Sequence, residues 1–277
     1  MDYKVLALDI DGTLVNSNKE ISKPTLEALI DIQEQGYHVV LASGRPTGGM
    51  VKYADALNFE KYGSFVLSFN GARITDWRTK ETIFNQTVPN NVVPELLEIA
   101  KANDVGMVVY KEGDLIIAGT EINDYMMHEA TLTGLPIEYR PEYFNNMECP
   151  TNKCLMAGEP EILIQLEKEL QKRYHGLLLI TRSEPFFLEF MPMNVDKAHS
   201  LVHLMNGLGM SAEQLICCGD GFNDISMIEI AGLGVAMENA QERVKAAADY
   251  VTSSNDDNGI VKVIEKFLKK CNKNPHI

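Results

Sequence analysis

Val5-Leu6-Ala7-Leu8-Asp9-Ile10-Asp11-Gly12-Thr13 is the stretch on which the fold turns. A short, continuous apolar run is the pattern of a strand buried on both faces, and here it ends in two aspartates one residue apart, followed by a glycine. Residues two apart face the same side of a strand, so alternation places Asp9 and Asp11 together at its carboxyl end. Open parallel sheets hold their ligands at that end. Two carboxylates that close repel each other unless a positive charge lies between them, and hard oxygen donors suit magnesium. Asp-Gly after an apolar run is also an ordinary turn signal, so the remaining strand ends decide the matter.

A second acidic loop follows a second apolar run. Gln214-Leu215-Ile216-Cys217-Cys218 leads into Gly219-Asp220-Gly221-Phe222-Asn223-Asp224 and then a helical pattern from Ile225 to Ala231. Asn223 and Asp224 are favoured residue types for opening that helix, which leaves Asp220 free to reach a cation. Tyr37 to Ala42 is a third strand pattern, ending in Ser43-Gly44-Arg45-Pro46. A hydroxyl and backbone N–H groups ahead of a helix suit an anion. Lys197 follows the apolar segment Phe187-Leu188-Glu189-Phe190 and heads a helical stretch from Ala198 to Gly207. A lone serine or lysine in such a place is usually a cap or a solvated charge; the combination with two acidic loops argues for a site.

The ordered set Asp9-x-Asp11-Gly12-Thr13, Ser43, Lys197 and Gly219-Asp220-x-x-Asn223-Asp224 resembles the four motifs of the haloacid dehalogenase-like phosphohydrolases. Asn70-Gly71-Ala72, Ser43-Gly44-Arg45 and the tail Gly232-Leu233-Gly234-Val235-Ala236-Met237-x-Asn239-Ala240 extend the resemblance to the Cof-type branch, which includes bacterial sugar phosphatases. Ala198 departs from the glycine that many relatives carry after the motif lysine. The resemblance implies an α/β fold with a Rossmann-like, doubly wound parallel sheet and a large inserted α+β cap. It makes Asp9 the nucleophile and Asp11 the acid and base. It assigns a magnesium ion to Asp9, Asp11 (through its backbone carbonyl) and Asp220, with Asp224 in support. Ser43, Lys197, Asn223 and the N–H groups of Ile10 and Gly44 would hold the phosphoryl group. Arg45, Asn70, Gly71, Lys153 and Glu189 are candidates for touching substrate; His128, Arg140 and Trp77 are weaker ones.

Between about Phe84 and Phe186 the pattern changes to a self-contained mixture. Helical stretches at Pro94–Ala102, Asn123–Thr133 and Glu161–Tyr174 alternate with strand patterns at Met107–Tyr110, Leu115–Ala118, Lys153–Ala157 and Leu177–Thr181. The expected organisation is therefore a core from 1–83 and 187–277 and an inserted cap from 84–186. Hinges are expected near Thr82–Asn85 and Arg182–Pro185, and a frayed tail at Lys269–Ile277.

Composition fits a soluble enzyme: 277 residues, 45% of them hydrophobic, are enough for one large or two modest domains. The formal net charge of −14 disfavours nucleic acid and anionic membranes as partners. There is no apolar run of membrane-spanning length and no secretory leader, so the chain is expected to be cytoplasmic. Its five cysteines, at 149, 154, 217, 218 and 271, have no framework spacing; Cys217 and Cys218 are expected to pack as small apolar groups. No motif specifies an oligomeric state. The expected function is a magnesium-dependent phosphatase of small phosphorylated metabolites, sugar phosphates first. Alternatives are a phosphatase of pyridoxal phosphate or FMN, a phosphomutase, and a phosphometabolite-binding protein without activity.

Overall fold

The computed structural model describes residues 2–146 and 150–268; Cys149, Cys271 and the expected tail lie outside them. The chain first makes β1 (Val5–Leu8), β2 (His38–Ala42), β3 (Phe65–Ser68), β4 (Arg73–Asp76) and β5 (Thr82–Asn85). It continues through β6 (Gly106–Lys111), β7 (Leu115–Ala118), β8 (Ile137–Tyr139), β9 (Cys154–Ala157), β10 (Leu178–Glu184) and β11 (Phe187–Pro192). It closes with β12 (Leu215–Gly219), β13 (Leu233–Ala236) and β14 (Tyr250–Val251).

Two sheets form among the described residues. The larger has eight strands in the order β14-β13-β12-β1-β2-β3-β4-β5, parallel from β14 to β3 and antiparallel at β4 and β5. β1 sits in the middle because it is apolar throughout and fully buried. Its alternate residues feed different layers. Leu6 and Leu8 pack with Leu29 and Ile32 of the helix Lys23–Glu34, while Val5 and Ala7 pack with Leu201 and Leu204 of the helix Lys197–Gly207. The adjacent Cys217 and Cys218 divide between the same two layers as free, buried thiols. This is the covered-on-both-faces arrangement expected of a parallel sheet.

The smaller sheet has six strands, β10-β11-β9-β6-β7-β8. One face is covered by the helices Val93–Ala102 and Pro160–Arg173. The other carries Tyr110, Leu155 and Phe187 against Phe69 of the core, with the rings of Phe69 and Tyr110 edge-on at 5.4 Å.

The expected boundaries shift in two places. β11 pairs with β9 and β10, so the segment from Phe187 to Pro192 belongs to the smaller sheet and not to the core. The chain therefore does not cross between sheets at Arg182–Pro185, which lies in the β10–β11 hairpin. Thr82–Asn85 is likewise an edge strand of the large sheet. The connections between the sheets run through residues 86–92 and 193–196. The first is held by Asn152, whose Nδ2 donates to Asn85 Oδ1 at 2.6 Å and to Gln86 O at 2.7 Å. Among the described residues no helix is long and apolar enough to cross a membrane.

Candidate active site

The chain leaves β1 in both directions, through β2 and β3 on one side and β12 to β14 on the other. Such a reversal of strand order opens a crevice at the strands' carboxyl ends, and the acidic loops lie there. Asp9 follows β1, and Asp220 and Asp224 follow β12. Lys197, at the first turn of its helix and 0% exposed, donates to Asp9 Oδ1 and to Asp224 Oδ1, each at 2.6 Å. Burial works against its charge, yet the two carboxylates outweigh burial and raise its pKa above the ordinary lysine value. Its ammonium is thereby a permanent positive charge fixed beside Asp9.

Asp224 does more than begin a helix. Its Oδ2 accepts the N–H groups of Asp220 and Gly221 at 3.0 and 2.9 Å, so both of its oxygens are engaged in positioning Lys197 and the loop. It makes no side-chain cap bond to the helix Ile225–Ile230. Gly219 is required for that closure: a Cβ there would lie 2.4 Å from Asp224 Cβ. Gly12 plays the corresponding part in the first loop. Its φ of +82° is a conformation that only glycine takes without strain, and a Cβ would lie 2.3 Å from Asp220 Oδ2. Thr13 Oγ1 then donates to Asp220 Oδ1 at 2.9 Å.

Asp11 is not beside Asp9 in the acidic cluster. β1 ends at Leu8, so strand alternation no longer governs Asp11, whose carboxylate turns to Arg45 instead. Arg45 Nε donates to Oδ2 at 2.7 Å and Nη2 to Oδ1 at 2.9 Å, and Lys19 Nζ donates to Oδ1 at 2.8 Å. Partial burial pushes the Asp11 carboxyl up, but the bonds and charges of Arg45 and Lys19 outweigh it and hold the pKa at about 2. The positive charge that Asp11 requires is supplied by these two side chains. The Asp11 carboxylate accordingly drops out of the metal-ligand set; its backbone carbonyl remains a candidate.

Ser43 is buried at the end of β2, where its Oγ accepts the Arg45 N–H at 3.3 Å and its carbonyl accepts the Asn70 N–H at 2.9 Å. Asn70, with φ of +53°, accepts at Oδ1 from Asn223 Nδ2 at 3.1 Å, joining the loops after β3 and β12. Gly44 lies under the Asn70 amide, where a Cβ would come within 3.2 Å of Oδ1. Gly71 has a packing role: its carbonyl accepts Ser200 Oγ at 2.5 Å, and a Cβ would meet the same hydroxyl. Ile10 is fully buried, and its carbonyl anchors the turn by accepting from Leu14 N and Val15 N.

Asp9, Asp220 and Asp224 each offer a carboxylate oxygen, all within 4.8 Å of one another. Burial first, then the Asp224 charge, raises the Asp9 pKa. Burial also pushes Asp220 up to about 6 against the pull of the Thr13 hydroxyl. Negative charge is thus crowded there, in an all-oxygen donor set of the kind a hard divalent cation takes. The residues present fit such an ion.

Among the other candidates, Lys153 and Glu189 pair with each other at 2.8 Å, both buried, with Glu129 4.0 Å from the same ammonium. Tyr110 completes that cluster by donating to Glu129 at 2.5 Å. Trp77 is buried in the core layer and donates to Asp55. His128 contacts Phe186 and Phe187, and Arg140 lies by Glu138, Glu142 and Tyr143, outside the acidic cluster. Lys19, brought to Asp11 by a turn with φ of +62°, stands in none of the motifs; Thr13 and Asn239 stand in them without an assigned role, and here Thr13 Oγ1 holds Asp220 while Asn239 Nδ2 donates to Gly12 O at 2.8 Å.

Residues 6–264 match the family described as haloacid dehalogenase-like hydrolase. The chain is similar to a solved haloacid dehalogenase-like hydrolase from Bacteroides thetaiotaomicron, with 46% identity and a TM-score of 0.91 over 95% of this chain and 98% of that one. It is 30% identical to the 5-amino-6-(5-phospho-D-ribitylamino)uracil phosphatase YcsE of Bacillus subtilis, over 97% of each chain. It also resembles the HAD subclass IIB sugar phosphatase BT4131, with 27% identity and a TM-score of 0.78 over 95% of this chain and 98% of that one. Sequence and fold agree: the chain belongs to the haloacid dehalogenase-like hydrolase family.

Proposed function

We propose that the protein is a magnesium-dependent phosphatase of small phosphorylated metabolites, sugar phosphates first, working through an aspartyl phosphate on Asp9. The observation that carries this reading is Asp9 itself: one buried carboxylate, oriented by the fixed ammonium of Lys197, at the edge of an acidic cluster that suits a divalent cation. A carboxylate nucleophile splits a difficult hydrolysis into two easier displacements. Phosphoryl transfer depends mostly on positioning and charge, and both are built in here. Lys197 holds Asp9 in place and presents a positive charge to the phosphoryl oxygens. Ser43, Asn223 and the N–H groups of Ile10 and Gly44 orient them. Asp9, Asp220 and the Asp11 backbone carbonyl would hold magnesium, with Asp224 behind them, and the ion would neutralise nucleophile and phosphoryl charge together.

Asp11 is the proton carrier in this scheme, giving its proton to the leaving oxygen and taking one from the attacking water. With Arg45 and Lys19 on its carboxylate it is ionised, so the acid role requires that pairing to loosen. An incoming phosphate is a competing anion for the Arg45 guanidinium. The smaller sheet would act as a cap, turning its Tyr110 and Phe187 face over the site and selecting the leaving group. A second reading, a phosphate ester that carries a ring system, is favoured by the similarity to a phosphatase of a ribitylaminouracil phosphate.

The test is release of phosphate from sugar phosphates, pyridoxal phosphate, FMN and nucleotides, with magnesium or EDTA, beside Asp9→Asn. Magnesium-dependent release that Asp9→Asn abolishes is expected. Transfer to a second hydroxyl without free phosphate would favour a mutase, and binding without turnover a sensor.

A further inference from the structure

The Asp11 carboxylate is gripped in two unlike ways. Arg45 engages both of its oxygens, Nε on Oδ2 and Nη2 on Oδ1, whereas Lys19 Nζ reaches Oδ1 alone. Lys19 stands on a tightly built loop. Its left-handed backbone, with φ of +62°, is uncommon for a residue with a Cβ and is held by its neighbours: Lys19 N donates to Asn16 O at 2.9 Å, and Asn16 Oδ1 accepts the N–H groups of Asn18 and Glu20, each at 3.0 Å. Ser17 ties the loop to a distant part of the chain, donating from N and Oγ to the Asp256 carboxylate at 2.8 and 2.7 Å. Asn255, next to Asp256, donates from Nδ2 to Val15 O and from its N–H to Asn239 Oδ1, and Asn239 closes the circuit on Gly12 O. The ammonium therefore comes to Asp11 from a braced backbone, although the lysine side chain is 59% exposed.

Resting on the phosphatase reading, we infer that Lys19 is a positioning residue for the reaction: it fixes the Asp11 carboxyl group by one oxygen and leaves the other to carry the proton. The fork of Arg45 occupies both oxygens, so neither is open to a leaving group while it is in place. An incoming phosphate draws the guanidinium away, and Asp11 then needs another holder, because a carboxyl group free to turn gives up the alignment on which transfer at the reacting centre depends. Lys19 supplies it. With the ammonium on Oδ1, Oδ2 passes its proton to the leaving oxygen as the ester P–O bond breaks and the bond from Asp9 to phosphorus forms. Oδ2 then takes a proton from water as the water oxygen displaces Asp9 from phosphorus. One oxygen is held through both halves of the reaction and the other works in both.

Lys19→Met, Lys19→Arg and Asp256→Ala test this against two substrates: the sugar phosphate turned over fastest in the panel, whose alkoxide leaves poorly without a proton, and 4-nitrophenyl phosphate, whose phenolate leaves readily. General acid–base catalysis is worth about 10²–10⁴-fold in all, so in Lys19→Met kcat/KM should fall by about tenfold for the sugar phosphate and by less than about threefold for 4-nitrophenyl phosphate. With the latter, kcat should fall while kcat/KM holds, because the second displacement still needs Asp11 as base and phosphorylated enzyme accumulates. Lys19→Arg should restore most of the loss, and Asp256→Ala, which unties the loop, should show the same pattern at smaller size. Exposed ion pairs add little to stability, so an unchanged melting temperature is the folding control. Equal losses on the two esters in Lys19→Met or Asp256→Ala, no loss on the sugar phosphate, or no recovery in Lys19→Arg overturns the role of Lys19 and leaves the phosphatase reading intact. No phosphate release from any substrate by the unmodified enzyme overturns the phosphatase reading and this role with it.

Discussion

Lys197→Met separates the electrostatic account of the site from a purely steric one. Methionine keeps the length and apolar stem of lysine but removes an ammonium that is 0% exposed and 2.6 Å from both Asp9 and Asp224. Two nearly buried carboxylates are then left facing each other with nothing between them. Removing one partner of a buried ion pair costs about 3–5 kcal/mol, a large share of the roughly 5–15 kcal/mol that holds a domain folded. The sign of the pH dependence follows from the raised Asp9 pKa. An acid whose pKa is higher in the folded state favours folding fully below its unfolded value of about 3.9 and loses that contribution as pH rises through the folded value. Loss of Lys197 raises it further, so the deficit of Lys197→Met should be smallest near pH 4 and grow toward pH 8. Adding Asp224→Asn removes one of the stranded charges and should restore at least about 1 kcal/mol, the coupling expected of residues in contact. Urea denaturation followed by circular dichroism, in EDTA, at acid and alkaline pH, reads all three quantities. Equal midpoints for the two proteins, a deficit that shrinks as pH rises, or no recovery in the double variant would refute the reasoning.

Other consequences are simpler to read. Gly12→Ala combines a left-handed backbone with a Cβ 2.3 Å from Asp220 Oδ2; it should cost about 1–3 kcal/mol and raise the magnesium concentration needed for half-maximal activity. An unchanged magnesium titration would mean that Asp220 is not a ligand. Asn152→Ala strips partners from Asn85 and Gln86 O and should lower stability by about 1–3 kcal/mol in the same urea assay. Because the Asp220 pKa is raised to about 6, the magnesium-free protein loses stability as pH climbs from about 4 through that value. A bound cation favours the ionised carboxylate against the burial that raises its pKa, so magnesium should raise the melting temperature more at pH 8 than at pH 5; an equal rise at both would contradict a role for the Asp220 carboxylate in holding the ion.

Much of the site was legible because it sits at strand ends, and buried strands announce themselves as short apolar runs. Val5–Leu8 and Leu215–Gly219 could be read directly, each followed by its acidic loop. The failures have physical causes. Alternation ends at Leu8, where the strand stops, so a strand pattern extended to Asp11 misses its pairing with Arg45 and Lys19. Lys19 comes to Asp11 through a tight turn that leaves no periodic trace. The segment Phe187–Pro192 is buried throughout, and a run buried on both faces says nothing about which sheet it joins. Thr82–Asn85, mostly exposed at the edge of the large sheet, looks like a linker because an edge strand lacks the apolar run.

The central claim is that Asp9 is phosphorylated during turnover. Mixing enzyme with a radiolabelled substrate in magnesium, quenching in acid on the millisecond scale and digesting the chain would locate the label. The account predicts a transient, hydroxylamine-sensitive phosphate on the peptide that contains Asp9, absent from Asp9→Asn. Phosphate release with no labelled peptide, or a label that persists in Asp9→Asn, would contradict it.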